Sequence, residues 1–135
     1  MKRSESDRLF SLCIRTEANW TCQKCGTQYE VGSRGLHCSH NFSRRHRTIR
    51  WCKDNALALC CYCHEWFGGN PADSGKWLEE KLGDGTMEIL REKKNSKMKV
   101  TKLEEKEIAA HYKQQLKKLQ QQLLDNQTLN FDSYQ

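Results

Sequence analysis

Two cysteine pairs, Cys22-Gln-Lys-Cys25 and Cys60-Cys-Tyr-Cys63, constrain this chain more than any other feature. Cysteines at this spacing sit on tight turns that bring both thiolates to one tetrahedral cation, and four soft anionic sulfurs suit zinc far better than magnesium. Gly26 follows the first pair, where a knuckle turn calls for positive φ. The 34 residues between the pairs exceed the spacing of an ordinary zinc ribbon. A structural zinc on Cys22, Cys25, Cys60 and Cys63 is therefore expected to clamp the two ends of a substructure. Cys13, Cys38, Cys52 and Cys61 are left without assignment, with Cys13 placed on a helix face and Cys61 expected to point away from the metal.

Metal binding is preferred to disulfides because the N-terminus, MKRSESDRLF, shows no apolar signal core, which points to a reducing, cytoplasmic setting. The length of 135 residues suits a single small domain. The longest apolar run, Ala56 to Cys63, is far too short for a bilayer span.

Four segments follow from the patterning. Residues 1–20 carry a short amphipathic helix, with Leu9, Leu12 and Cys13 at helical spacing after Ser4 and Ser6. Within the segment 21–70, glycines at 26, 32 and 35 break the chain from Thr21 to Cys52 and no helical period appears there, which suits a knuckle followed by a hairpin. Residues 71–100 hold short helices, the first opened by Asn70-Pro71 and closed by Gly83, then a basic stretch, REKKNSKMK, that reads as a linker or a phosphate-facing tail. Residues 101–135 hold a long helix over 102–124 and a frayed tail; Thr101 and Glu104 form its capping box, and Ile108, Tyr112, Leu116, Leu119 and Leu123 form one apolar stripe. The fold class expected is α+β. That last stripe is expected to pack on its own domain, with a homodimer through this helix as a further expectation.

Charge is unevenly placed. Lys and Arg number 23 against 17 Asp and Glu, a net charge of +6. Residues 1–67 hold eleven basic and six acidic side chains, so five of the six excess charges lie there. From Arg34 to Lys53 there are six basic residues and no acid. Within this stretch and just after it, His40, Asn55 and His64 occur in the order His, Asn, His, with His64 abutting the second cysteine pair.

These residues, in the segment LHCSHNFSRRHRTIRWCKDNALALCCYCH, resemble the HNH endonuclease family and its zinc-clamped subset. More narrowly, the run of CxH, SRR, RW, Asn, CxxC and Gly-Asn, with IAAHYKQQLKKL in the last helix, resembles the phage NinG/Rap recombination nucleases. The resemblance implies a small ββα-metal core with a four-cysteine zinc knuckle, flanked by an N-terminal helix and C-terminal helices. It implies a metal-dependent hydrolase of phosphodiester bonds, leaving 5′-phosphate and 3′-hydroxyl ends. His40 would be the general base, His64 a ligand of a catalytic Mg²⁺ or Mn²⁺, and Asn55 the residue that pins the loop between strand and helix.

The implied substrate is DNA, branched or junction DNA in phage recombination, inside a bacterial host cell. Arg44, Arg45, Arg47 and Arg50 are expected to fork onto its phosphates. Many HNH enzymes carry Asp or His directly before the base, whereas this chain has Ser39. A hydroxyl is a weak ligand, which leaves His37, Cys38 and His46 open as helpers of His64. The alternative reading is a non-catalytic zinc-dependent module that binds nucleic acid. Trp51, Trp66 and Phe67 are expected to pack rather than to stack on bases.

Overall fold

In the computed structural model, which describes residues 2–135, the chain is a mixture of helices and one two-stranded antiparallel sheet. Helix α1, Glu5–Glu17, is opened by a capping box in which Ser4 accepts from the Asp7 amide and the Asp7 carboxylate accepts from the Ser4 amide. Strands β1 (Leu36–His40) and β2 (Ala56–Cys60) pair with Leu36 opposite Cys60 and His40 opposite Ala56. Helix α2 (Cys61–Gly69) begins immediately after β2, and Cys60 caps it by accepting from the Cys63 amide. Helices α3 (Pro71–Leu82), α4 (Asp84–Lys94) and α5 (Lys102–Leu124) complete the chain. No helix among the described residues is long and apolar enough to cross a membrane.

The helices open and close near the expected positions, although the Asn70 side chain donates to the Trp66 carbonyl and does not cap α3. Pro71 sits in the first turn of α3, Gly83 ends it at φ 84°, and Thr101 caps α5 by accepting from the Glu104 amide. The basic run beginning at Arg91, expected to be linker, is helical as far as Lys94. Its last turn carries Arg91, Lys93 and Lys94, where cations oppose the negative end of the helix dipole.

The core lies between α1, α5 and the hairpin. Phe10 and Tyr112 meet edge to face with ring centroids 5.1 Å apart, and both are fully buried. Strand β2 is buried at all five positions, as a strand covered on both faces must be. Trp51 is buried, and Trp66 and Phe67 both pack edgewise on Trp77 across the α2–α3 contact. Most of the α5 stripe faces the interior: Ile108, Tyr112 and Leu119 are buried and Leu116 packs against the core, whereas Leu123 at its end stays exposed.

The C-terminal residues correct the expectation of a frayed tail. Phe131 is 1% exposed, its amide donates to Glu17 at 3.0 Å, and its carbonyl accepts from Lys53 at 2.7 Å. The Tyr134 amide donates to the Tyr112 hydroxyl at 3.0 Å. One aromatic side chain and a few hydrogen bonds to groups distant in sequence hold the tail down, and no local period announces them.

A buried ion pair joins α1 to the loop between the strands. Arg50 and Asp7 are 5% and 4% exposed, and Arg50 Nε donates to Asp7 Oδ1 at 2.9 Å while Nη2 donates to Oδ2. Burial alone would raise the Asp7 carboxyl, but Arg50 and Ser4 outweigh it and hold it at about 2. Asp7→Asn leaves a buried guanidinium without its counter-charge, so a loss of about 3–5 kcal/mol in stability at neutral pH is expected in chemical denaturation.

Candidate functional site

Four cysteine sulfurs come together at the junction of knuckle, hairpin and α2. The Sγ atoms of Cys22, Cys25, Cys60 and Cys63 all lie within 4.8 Å of one another. Cys25 and Cys60 are 3.7 Å apart and unbonded, against about 3.8 Å for two sulfurs on one tetrahedral zinc. Gly26, at φ 80°, turns the knuckle so that its amide donates to the Cys22 carbonyl at 3.0 Å. Gln23 ties the knuckle to β2, its amide donating to the Ala58 carbonyl and its side-chain oxygen accepting from the Ala58 amide, each at 2.8 Å. Hydrogen bonds from Thr27 bring the Cys25 thiol down to about 6, which favours the thiolate that a cation needs. The donor set therefore fits a metal ion. Cys61 is exposed and outside the cluster, while Cys13 is buried with its thiol against the Tyr112 carbonyl.

A cavity of about 660 Å³ opens between α1, β1 and the start of α2. His37, His40 and His64 all line it. His37 Nδ1 and His64 Nδ1 are 2.9 Å apart, and His37 Nε2 is 3.1 Å from the Arg34 carbonyl. A carbonyl only accepts, so His37 carries its proton on Nε2 and keeps the Nδ1 lone pair towards His64. Two imidazole nitrogens bound side by side to one octahedral cation lie about 3 Å apart, with bonds of roughly 2.1 Å. As it stands the contact is a hydrogen bond, with His64 Nδ1–H donating to His37 Nδ1, and its length also equals the spacing that two ligands of one cation would take, with the tautomer of His37 fixed by a backbone carbonyl.

Of the three helpers left open for His64, only His37 is placed beside it. His46 lines a different cavity, and burial pushes the Cys38 thiol up to about 12, which keeps it protonated and a poor ligand. Ser39 pairs with Leu57 in the sheet and is 1% exposed.

His40 ends β1. Its Nε2 is 2.9 Å from the Arg50 carbonyl, so Nε2 carries the proton and Nδ1 is the free base. Burial lowers its pKa below 6.5, against a smaller opposing effect of the Arg50 carbonyl. Asn55 is completely buried and touches no part of the cavity directly. Its Oδ1 accepts from the Phe42 amide at 2.8 Å, and its Nδ2 lies 3.1 Å from both the Phe42 and Ile49 carbonyls. It stitches both ends of the loop whose Arg50 carbonyl orients His40, so it fixes the His40 ring from a distance.

The four arginines after His40 go to different places. Arg44 lines the histidine cavity, 3.6 Å from Asp7. Arg45 is exposed, and Arg47 pairs with Glu105 at 3.0 Å; both face another groove. Arg50 is buried against Asp7, which corrects the expectation that it meets phosphate. In their stead the cavity gains Arg3, Arg15 and Arg34. Asp7, Ser11 and Arg15 recur every four residues on α1 and, with Arg3 just ahead of the helix, all line the cavity, so one face of α1 forms its wall. That spacing was readable in the sequence; what it faced was not.

The family described as bacteriophage lambda NinG protein matches residues 3–122 of the chain. Neither the curated proteins nor the solved structures gave a match.

Proposed function

The chain belongs to the bacteriophage lambda NinG family, and from that premise we propose that it is a divalent-metal-dependent DNA endonuclease of the HNH type, acting in phage recombination. The observation that carries this reading is the meeting of His37, His40 and His64 in one cavity walled by Arg3, Arg15, Arg34 and Arg44. A cavity with four guanidinium groups attracts a phosphate, and three imidazoles supply what its hydrolysis needs. The hairpin β1–β2 with α2 would be the ββα-metal unit, and Cys22, Cys25, Cys60 and Cys63 would hold the structural zinc that braces it.

His37 and His64 would hold the Mg²⁺ or Mn²⁺, whose chemistry there is to offset the negative charge that grows on the phosphate and on the departing 3′ oxygen. His40 accepts at Nδ1 the proton of the attacking water, while its Nε2–H stays on the Arg50 carbonyl and fixes the ring. The arginines of the wall bind the non-bridging oxygens and neighbouring phosphates. Asn55 keeps the loop in register, so that the carbonyl holding His40 does not drift. The departing 3′ oxygen takes its proton from solvent water, so the products are a 5′-phosphate and a 3′-hydroxyl.

None of these groups reads base edges, which favours selection by DNA shape. The test is cleavage of a four-way junction and a linear duplex with Mg²⁺ or Mn²⁺: faster cutting of the junction is expected, and equal rates on both would remove the shape selection. The pH profile adds a second expectation. Because burial depresses His40, the base stays unprotonated to lower pH than an ordinary imidazole, so the acid limb of kcat/KM should lie below pH 6.5. An acid limb above that value, at saturating metal, would take His40 out of the role.

A further inference from the structure

A second groove, of about 430 Å³, borders the loop that follows His40, and nothing in the reaction above uses it. Arg45, Arg47 and Thr48 come to it from that loop, and Lys94, Ser96 and Lys99 from the segment joining α4 to α5. Among the described residues no Asp or Glu lines it, and Glu105 pairs with Arg47 at 3.0 Å. From Arg91 to Lys102 the sequence carries six basic residues and one acid. A merely solvated face tends to mix its signs, as α5 does with Lys102, Glu104, Glu105, Lys106 and Glu107.

The groove is also held in shape. Thr48 Oγ1 donates to the Lys93 carbonyl at 2.6 Å, Arg47 Nη2 donates to the Val100 carbonyl at 3.4 Å, and Lys94 Nζ sits 5.2 Å from the centre of the Phe42 ring. Two chain segments some fifty residues apart are thereby fixed with their cations converging. Arg44 and Arg45, adjacent in sequence, line different cavities: Arg44 the one with the histidines, Arg45 this one. The loop is a partition with phosphate-binding chemistry on both sides.

The geometry points to a second DNA site: the groove of Arg45, Lys94 and Lys99 grips the phosphate backbone of a stretch of DNA other than the one being cut. The inference rests on the nuclease reading for the identity of its ligand as DNA. Contacts of this kind are sequence-independent, and each phosphate neutralised adds about 0.9 to the salt dependence of binding. A protein that holds two backbones either side of one loop favours DNA in which two backbones diverge.

The experiment is equilibrium binding of the full chain to a fluorescent four-way junction across a salt series, with no Mg²⁺ or Mn²⁺ added. Lys94→Ala/Lys99→Ala should lower the slope of log K against log salt by about 2, whereas Lys113→Ala/Lys117→Ala, on exposed positions of α5, should leave it unchanged. Unchanged melting of each variant confirms its fold, and Lys94→Gln/Lys99→Gln replaces the alanine pair if that pair melts early. Equal slopes for wild type and groove variant overturn the site, as does an equal fall in the α5 pair. A groove effect in a protein that cuts no DNA with any divalent ion keeps the site and removes the nuclease reading; cutting without a groove effect does the reverse.

Discussion

His40→Ala is expected to lower the single-turnover rate of DNA cleavage by about 10²–10⁴-fold while DNA affinity stays within a factor of about three. The size follows from the role: a base positioned for one proton acts in the transition state and contributes little to holding the substrate. The half-buried imidazole packs 5.9 Å from the Phe10 ring and donates to the Arg50 carbonyl, so its removal costs some packing and one hydrogen bond. Arg50 itself stays anchored by Asp7 and the loop by Asn55, which confines the damage. His40→Gln separates the two contributions, because an amide can refill the donor position towards Arg50 yet cannot take the water's proton. Both variants should fail in rate alike, with glutamine the closer to wild type in melting. A glutamine variant that cleaves at the wild-type rate would show that the residue is structural.

The second large effect lies in the cysteine cluster. Cys60→Ser should abolish the tightly held zinc and with it the cooperative melting of the knuckle, hairpin and α2, a loss comparable to the roughly 5–15 kcal/mol that stabilises a small domain. Cys60 matters three times over: it ends β2, caps α2, and is buried among the other three sulfurs. Cys61, the next residue, is exposed and outside the cluster, so Cys61→Ser should change stability by no more than about 0.5 kcal/mol. Metal content per chain and thermal melting of the two neighbours, measured side by side, check this. A zinc-free Cys60→Ser protein that melts like wild type would remove the clamp.

Much of this architecture was legible in the sequence because it is encoded locally. A CxxC pair followed by glycine describes its own turn, and Ser4, Thr101 and Pro71 announce helix starts within three residues of themselves. The order of His40, Asn55 and His64 could be read because strand, loop and helix follow one another without interruption. Long-range pairing was illegible. Nothing around Arg50 distinguishes it from Arg44 or Arg47; its fate is decided by Asp7, 43 residues earlier on another element. His37 was one of three open choices because Ser39 stands where a second ligand is usual, and only packing shows that His37, and neither Cys38 nor His46, lies beside His64. The ordering of the tail is illegible for a similar reason, since Phe131 docks on groups supplied by Glu17 and Lys53. Periodicity shows which face of an element is apolar or charged, and packing alone decides what that face meets.

Nicking of supercoiled plasmid decides whether the three histidines in the arginine-walled cavity hydrolyse a phosphodiester. Zinc-loaded wild type and His40→Ala would be compared with Mg²⁺, with Mn²⁺ and with neither added. Nicking that requires Mg²⁺ or Mn²⁺, leaves 5′-phosphate ends and disappears in His40→Ala is the predicted result. No nicking with either ion, or nicking undiminished in His40→Ala, would contradict it.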